Sequence, residues 1–194
     1  VRHIFIMHFN YKKGSLETYQ TLILEYGRQI NFVVRHLTRN IKEGIKLSVK
    51  EFNVVFEKIK NVTGISDIGY HEIRDGMLHP VYKTSTDTLD LEKWRSTHSQ
   101  HPVLIDKTEI LKQIVGQRRP AIVNDVNSDK RSADAFFLFG IDSILIVPVI
   151  EKEVVTGIYC IASIGKLHNF TEEEANKCEE IINASRLSIP YGEG

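Results

Sequence analysis

Apolar residues recur at Leu16, Tyr19, Ile23, Tyr26, Ile30, Val33 and Leu37, in alternating steps of three and four. With Ser15 as N-cap, this spacing predicts a long helix ending near Gly44. A strict heptad repeat describes a seam that faces another helix, and a second copy of the chain is the expected partner. Leu22, Leu24, Phe32 and Val34 widen the stripe, so packing of the same helix on its own sheet stays open. The first ten residues read as a short strand or an arm ahead of the Lys12-Lys13-Gly14 breaker. A second helix is announced by Ser48 and Glu51, which have capping-box spacing, with Val49, Phe52, Val55, Phe56 and Ile59 on its buried face and Gly64 at its end. The period then changes to two. Ile65–Arg74 and Met77–Thr86 flank Asp75-Gly76, a pair suited to positive φ, and predict a β-hairpin. A polar connector, Asp87–His101, follows and holds the only tryptophan, Trp94; connectors of that length are often functional or mobile.

The second half repeats these signals. Asp106-Lys107-Thr108-Glu109 opens a helix carrying Ile110, Leu111, Ile114 and Val115, which Gly116 ends. A strand is expected over Pro120–Val126, then a short helix capped by Asn127-Ser128-Asp129 and running through Ala133 to Phe139. Gly140 releases the chain into the apolar run Ile141–Ile150, and a turn at Glu151-Lys152-Glu153 joins it to Val154–Ile164. Thr171-Glu172-Glu173-Glu174 starts a last helix with Ala175, Cys178, Ile181 and Ile182 on one side. Two hairpins and a lone strand imply an α+β fold: a single central antiparallel sheet of about five or six strands, terminal helices on one face, connectors and short helices on the other. The division is an arm and long helix at 1–47, a domain at 48–184 and a tail or linker at 185–194. A small ligand is expected between the sheet and the connectors.

Charge and composition narrow the function. Twenty-five basic and twenty-five acidic side chains give a formal net charge of zero in 194 residues, which disfavours direct binding to nucleic acid or to an anionic membrane surface. Cys160 and Cys178 lack metal-site or disulfide spacing, and a reducing, cytoplasmic setting fits them. The purely apolar run Ile144–Ile150 has seven residues, against roughly 18 for a membrane span.

From about Ser48 to Ala184 the chain resembles a GAF domain, a sensory module related to PAS domains and built on a profilin-like sheet. The resemblance lies in Gln117–Val126 with its Asn124-Asp125-Val126 end, followed by Ser128-Asp129-Lys130-Arg131. It continues in the glycine-led strand Gly140–Val149 with Val147-Pro148, in Val155–Ala162, and in Phe170-Thr171-Glu172-Glu173-Glu174. It implies a sensor that binds a small ligand, pairs through its terminal helices and regulates a covalently attached output domain.

Several chemistries can be weighed by residue type. Cyclic-nucleotide members carry an Asn, Lys, Phe, Asp and Glu set; Asn169, Phe170 and Glu174 echo it partly, and the same residues serve as a helix start. Bilin attachment, and turnover like that of the free methionine sulfoxide reductases, require pocket cysteines, whereas Cys160 and Cys178 read as core thiols. Haem needs one axial imidazole, for which His71, His98 and His101 are candidates; the spacing of His98 and His101 alone is a weak metal signal. No cofactor is assigned. An anion site is suggested by Asn127, Ser128 and Asp129 ahead of a short helix, with Lys130 and Arg131 adding charge; the alternative is a plain cap with Arg131 in solvent. Tyr70, Tyr82, Trp94 and Phe136 would supply pocket walls or ordinary core, and Asn124 and Asp125 a contact or a turn. No catalytic triad, phosphate-binding glycine loop or paired-carboxylate spacing is present in the sequence, so catalysis is not supported.

Overall fold

The computed structural model describes residues 49–186. The N-terminal arm, the heptad helix with its dimer seam and the end of the tail lie outside the described residues. The first described element is helix α1, residues 49–63. Its apolar positions Val55, Phe56 and Ile59 are buried at three-to-four spacing. At its last residue, the Thr63 hydroxyl donates to Ile59 O at 3.1 Å and accepts from Ile65 N at 3.2 Å, which turns the chain toward the sheet.

Strands β1 (Asp67–Arg74) and β2 (Met77–Lys83) pair antiparallel. Between them Asp75 and Gly76 both adopt positive φ, 51° and 74°, as the turn chemistry requires. The polar connector is not featureless. It contains helix α2 (Leu91–Gln100), started by Asp90, whose side chain accepts from Lys93 N at 2.7 Å. A single 3-10 turn, Ile105–Lys107, precedes α3 (Glu109–Gln117). Thr108 stands at the N-cap of α3 but its hydroxyl donates back to Leu104 O at 2.8 Å, and the helix runs past Gly116 to end on Arg118, in the left-handed region at φ 55°. Strand β3 is short, Ala121–Val123. Asn127 and Ser128 fall in turns rather than at a helix start, because α4 (Asp134–Leu138) begins only after Ala133. Strands β4 (Ile141–Glu151) and β5 (Val154–Ile164) form the long hairpin, with Lys152 and Glu153 in the turn at positive φ. Helix α5 (Glu172–Arg186) closes the described chain with a reciprocal cap: Thr171 N donates to Glu174 Oε2 at 2.8 Å and Glu174 N to Thr171 Oγ1 at 3.2 Å.

The five strands form one antiparallel sheet in the order β2-β1-β5-β4-β3. One face packs Ile68, Leu145, Val147, Tyr159 and Ile161 against α1 and α5 through Phe56, Ile59, Cys178 and Ile182. The other face packs Ile144, Ile146 and Ile158 against Ile110, Leu111 and Ile114 of α3 and Phe136 of α4. Because both faces are covered, β4 reads as a continuous apolar run instead of alternating. The architecture is α+β, as the pattern of elements implies.

Candidate functional site

Between the second sheet face and the elements α2, α3 and α4 lies a cavity of about 70 Å³. Strand parity decides what enters it. Gly69 and His71 share a face of β1; Gly69 stands opposite both Lys83 of β2 and Cys160 of β5, and His71 opposite Ile158. Gly69 lets the roof come close, since a side chain there would put its Cβ 3.3 Å from the Trp94 ring. On α2, Trp94 and His98 are one turn apart and both buried, so they present a single aromatic face to the sheet. Their rings lie 5.0 Å and 4.9 Å from that of His71, and Phe139, just past α4, stacks on His98 at 4.9 Å.

The two imidazoles are joined in a fixed order. His98 Nδ1 is 2.9 Å from Trp94 O, which only accepts, so Nδ1 carries the proton and donates. Burial lowers the pKa of His98, keeping the ring neutral with Nε2 as acceptor. His71 Nε2 therefore donates to His98 Nε2 across 3.0 Å. His71 is held well below its ordinary pKa, first by burial and then by the neighbouring His98. Its remaining nitrogen, Nδ1, is then a bare acceptor, buried and without a hydrogen-bond partner among the described residues.

At the other end of the cavity Lys83 is buried, 4% exposed. Its ammonium donates to Thr84 O at 2.7 Å and to Leu89 O, and lies 3.8 Å from Asp67 Oδ1. Burial lowers the Lys83 pKa, opposed by Asp67 and Asp90. Asp67 also accepts from the Thr86 and Thr88 hydroxyls. These bonds tie the chain entering α2 to the end of the first hairpin and so hold the roof in place. Cys160 lines the cavity as a protonated thiol, its pKa pushed up to about 12 by burial. Cys178 lies in the opposite core, raised to about 11 by burial and then by Glu174. No group of three or more potential metal-ligating side chains occurs among the described residues.

Of the sequence-nominated residues, Trp94 and Phe136 line the cavity, as do His71 and His98. Tyr70 and Tyr82 point to the other face, where they pack with Phe52 at ring distances of 5.1 Å and 5.6 Å, and Tyr82 Oη donates to Asn53 Oδ1. Asn124 is a brace: its amide donates to Asn169 Oδ1 and Phe170 O and its oxygen accepts from Phe170 N. Asp125 accepts from Asn127 N, and Ser128 Oγ donates to Asp125 O, so these residues close their own turn. Arg131 is drawn inward by Asp129, donating through Nε at 3.0 Å and Nη2 at 2.6 Å, and also bonds Gln113 Oε1 and Ile122 O. The Arg131 hydrogen bonds hold the Asp129 carboxyl below its usual pKa range. An anion at this turn would therefore compete with Asp129 for the guanidinium. His98 meets His71, not the exposed His101. Lys83 and Asp67 are not singled out by the sequence: continued along the strands, the register of the Asp75-Gly76 turn would set Tyr82 opposite Gly69, and it is the register shift between Tyr70 and His71 that brings Lys83 there instead.

No protein-family model matches the chain, and no curated protein does either. Solved structures do. The GAF domain/HD domain protein from Geobacter sulfurreducens is 16% identical, with a TM-score of 0.59 over 71% of this chain and 88% of that one. A GAF domain from Synechocystis in its photoproduct state is 16% identical, with a TM-score of 0.54 over 69% and 87%. The type II free methionine-R-sulfoxide reductase from Thermoplasma acidophilum is 15% identical, with a TM-score of 0.55 over 72% and 90%. The domain has the GAF fold. That fold hosts both sensory and catalytic neighbours, so function is argued from the site.

Proposed function

We propose that this is a GAF-type sensory module which takes a small ligand in the cavity beneath α2 and passes its occupancy, through paired terminal helices of a homodimer, to an attached output domain. The observation that carries this reading is the cavity itself, an apolar space in which an ionisable lysine and two neutral imidazoles are retained. Apolar packing alone has no use for such groups, because burying each of them costs stability. Occupancy affects output only if the ligand binds one arrangement of roof and helices better than another. The cytoplasmic setting belongs to the same proposal; among the described residues no helix is long and apolar enough to cross a membrane.

A redox enzyme on the same fold is the competing reading, favoured by the reductase neighbour and by Cys160 in the cavity. The raised thiol pKa and the placement of Cys178 in the other core argue against it, since a nucleophilic thiolate and a resolving partner are both needed. Thermal denaturation of the full chain with a panel of small molecules tests the sensory reading. A ligand at a hundredfold its Kd stabilises by about 2.7 kcal/mol, and Ala162→Leu, which adds bulk inside the cavity, is expected to remove that shift. No shift with any member of the panel favours a ligand-free scaffold, and turnover of free methionine sulfoxide favours the enzyme.

A further inference from the structure

We infer that the cavity selects a compact, uncharged, largely apolar molecule bearing one N–H or O–H group, which donates to His71 Nδ1. The inference deepens the sensory reading above and rests on it. Size sets the first limit: about 70 Å³ is half of the roughly 150 Å³ that accommodates benzene, and a nucleotide, a haem or a bilin is far larger. The walls set the second, since Leu111, Phe136, Ile144, Ile146, Ile158 and Ile164 all line the space. Charge sets the third. Lys83 is committed to two carbonyl oxygens and Asp67, and Asp67 to Lys83 and two threonine hydroxyls, so neither stands ready to answer a charged ligand.

Hydrogen-bond polarity sets the last limit. Of the imidazole and hydroxyl donors that line the cavity, His71 Nε2, His98 Nδ1 and the Thr108 hydroxyl are engaged, with His98, Trp94 O and Leu104 O. Among the described residues, several buried polar side-chain atoms lack a hydrogen-bond partner, and His71 Nδ1 is the one whose residue lines the cavity. A ligand donor reaching it forms a bond without displacing any existing one, whereas a ligand acceptor would set two lone pairs against each other. Discrimination between matched shapes should be about tenfold in Kd.

Ethanol and dimethyl ether provide the probe pair, because they are isomers with about half the bulk of benzene and only ethanol donates. Calorimetric titration of the full chain is expected to give a Kd for ethanol about tenfold below that for dimethyl ether. The difference should collapse in His71→Phe, which keeps a ring and removes the acceptor. Nitrogen-15 spectra of the native chain give an independent readout, in which ethanol should move the His71 Nδ1 resonance and dimethyl ether should leave it in place. Equal binding of the two probes, or an unmoved Nδ1 resonance at ethanol saturation, overturns the inference. Binding of acetate or cyclic GMP, blocked by Ala162→Leu, with no binding of ethanol, overturns the ligand class and leaves the sensory reading standing. If none of the four probes binds, both fall.

Discussion

Lowering the pH should destabilise this domain through the His71–His98 pair, and the sign and size follow from the structure. Both imidazoles have pKa values lowered from 6.5 in the folded state, His71 strongly, because burial disfavours their charged forms. The unfolded chain therefore binds more protons than the folded one between the folded values and 6.5, so stability rises with pH through that window. The contribution is fully present above 6.5 and is lost as the pH falls. A ring that stays unprotonated in the fold down to about pH 5 forfeits about 2 kcal/mol by that point, an upper limit for His71, with His98 contributing less. The structural reason is local: an added proton on His98 Nε2 would face the His71 donor at 3.0 Å, beneath Phe139 and beside Trp94. The other charges at the cavity, Lys83 and Asp67, are already paired with each other. Asp129, whose pKa is lowered from 3.8, loses its contribution only below that window. Glu179, raised from 4.5 by burial, acts in the opposite sense. Urea unfolding of the native chain and of His71→Phe between about pH 7 and pH 5.5 isolates the His71 contribution as the difference between the two. Stability should fall across this range in the native chain and fall less in His71→Phe. A flat profile, or a slope equal in both proteins, would refute the neutral-pair assignment.

Other consequences are as specific. Ile59→Ala, at a fully buried position of α1, should cost about 2–5 kcal/mol in chemical denaturation; a loss under about 1 kcal/mol would mean that α1 is not core. Gly157→Ala should cost about 2 kcal/mol or more, because its Cβ would lie 2.7 Å from the His71 carbonyl oxygen and from Tyr70 Oη; a native-like melting temperature would contradict the packing of β5 on β1. Cys160, with its pKa pushed up from 9.0 to about 12, should alkylate about a thousandfold more slowly near pH 8 than an unperturbed thiol; peptide mapping after iodoacetamide treatment reads this, and rapid labelling of the folded chain would restore the redox reading.

Much of the architecture is legible along the chain because it is locally coded. Asp75-Gly76 sets the first hairpin, and Thr171 with Glu174 starts the last helix through their own hydrogen bonds. Helix α2 escapes the periodic reading because its ten residues bury only Trp94 and His98. The polar residues around that pair resemble a connector. The helix after Thr108 outlasts Gly116 because Arg118, a residue with no left-handed preference, takes the capping conformation. Ser128 has the composition of a cap, yet Asp125 and Asp129 organise the turn first and the helix starts later.

The candidate site was less accessible for a different reason. Composition nominates Tyr70, Tyr82, Trp94 and Phe136 alike as pocket walls or ordinary core; Trp94 and Phe136 line the cavity, and Tyr70 and Tyr82 belong to the opposite core. Alternation along β1 separates Tyr70 from His71 without saying which side meets the cavity, because helices cover both faces of the sheet. The amino-acid sequence alone determined the two hairpins, their turns and the apolar surfaces to be buried, since these depend on neighbours within a few residues, whereas the pairing of β1 with β5 joins strands far apart in the chain. Only the tertiary structure decided that His71 would meet His98, 27 residues away, and that Lys83 would be enclosed with Asp67. Those contacts depend on where α2 settles on the sheet, and that placement is a property of the whole packed domain.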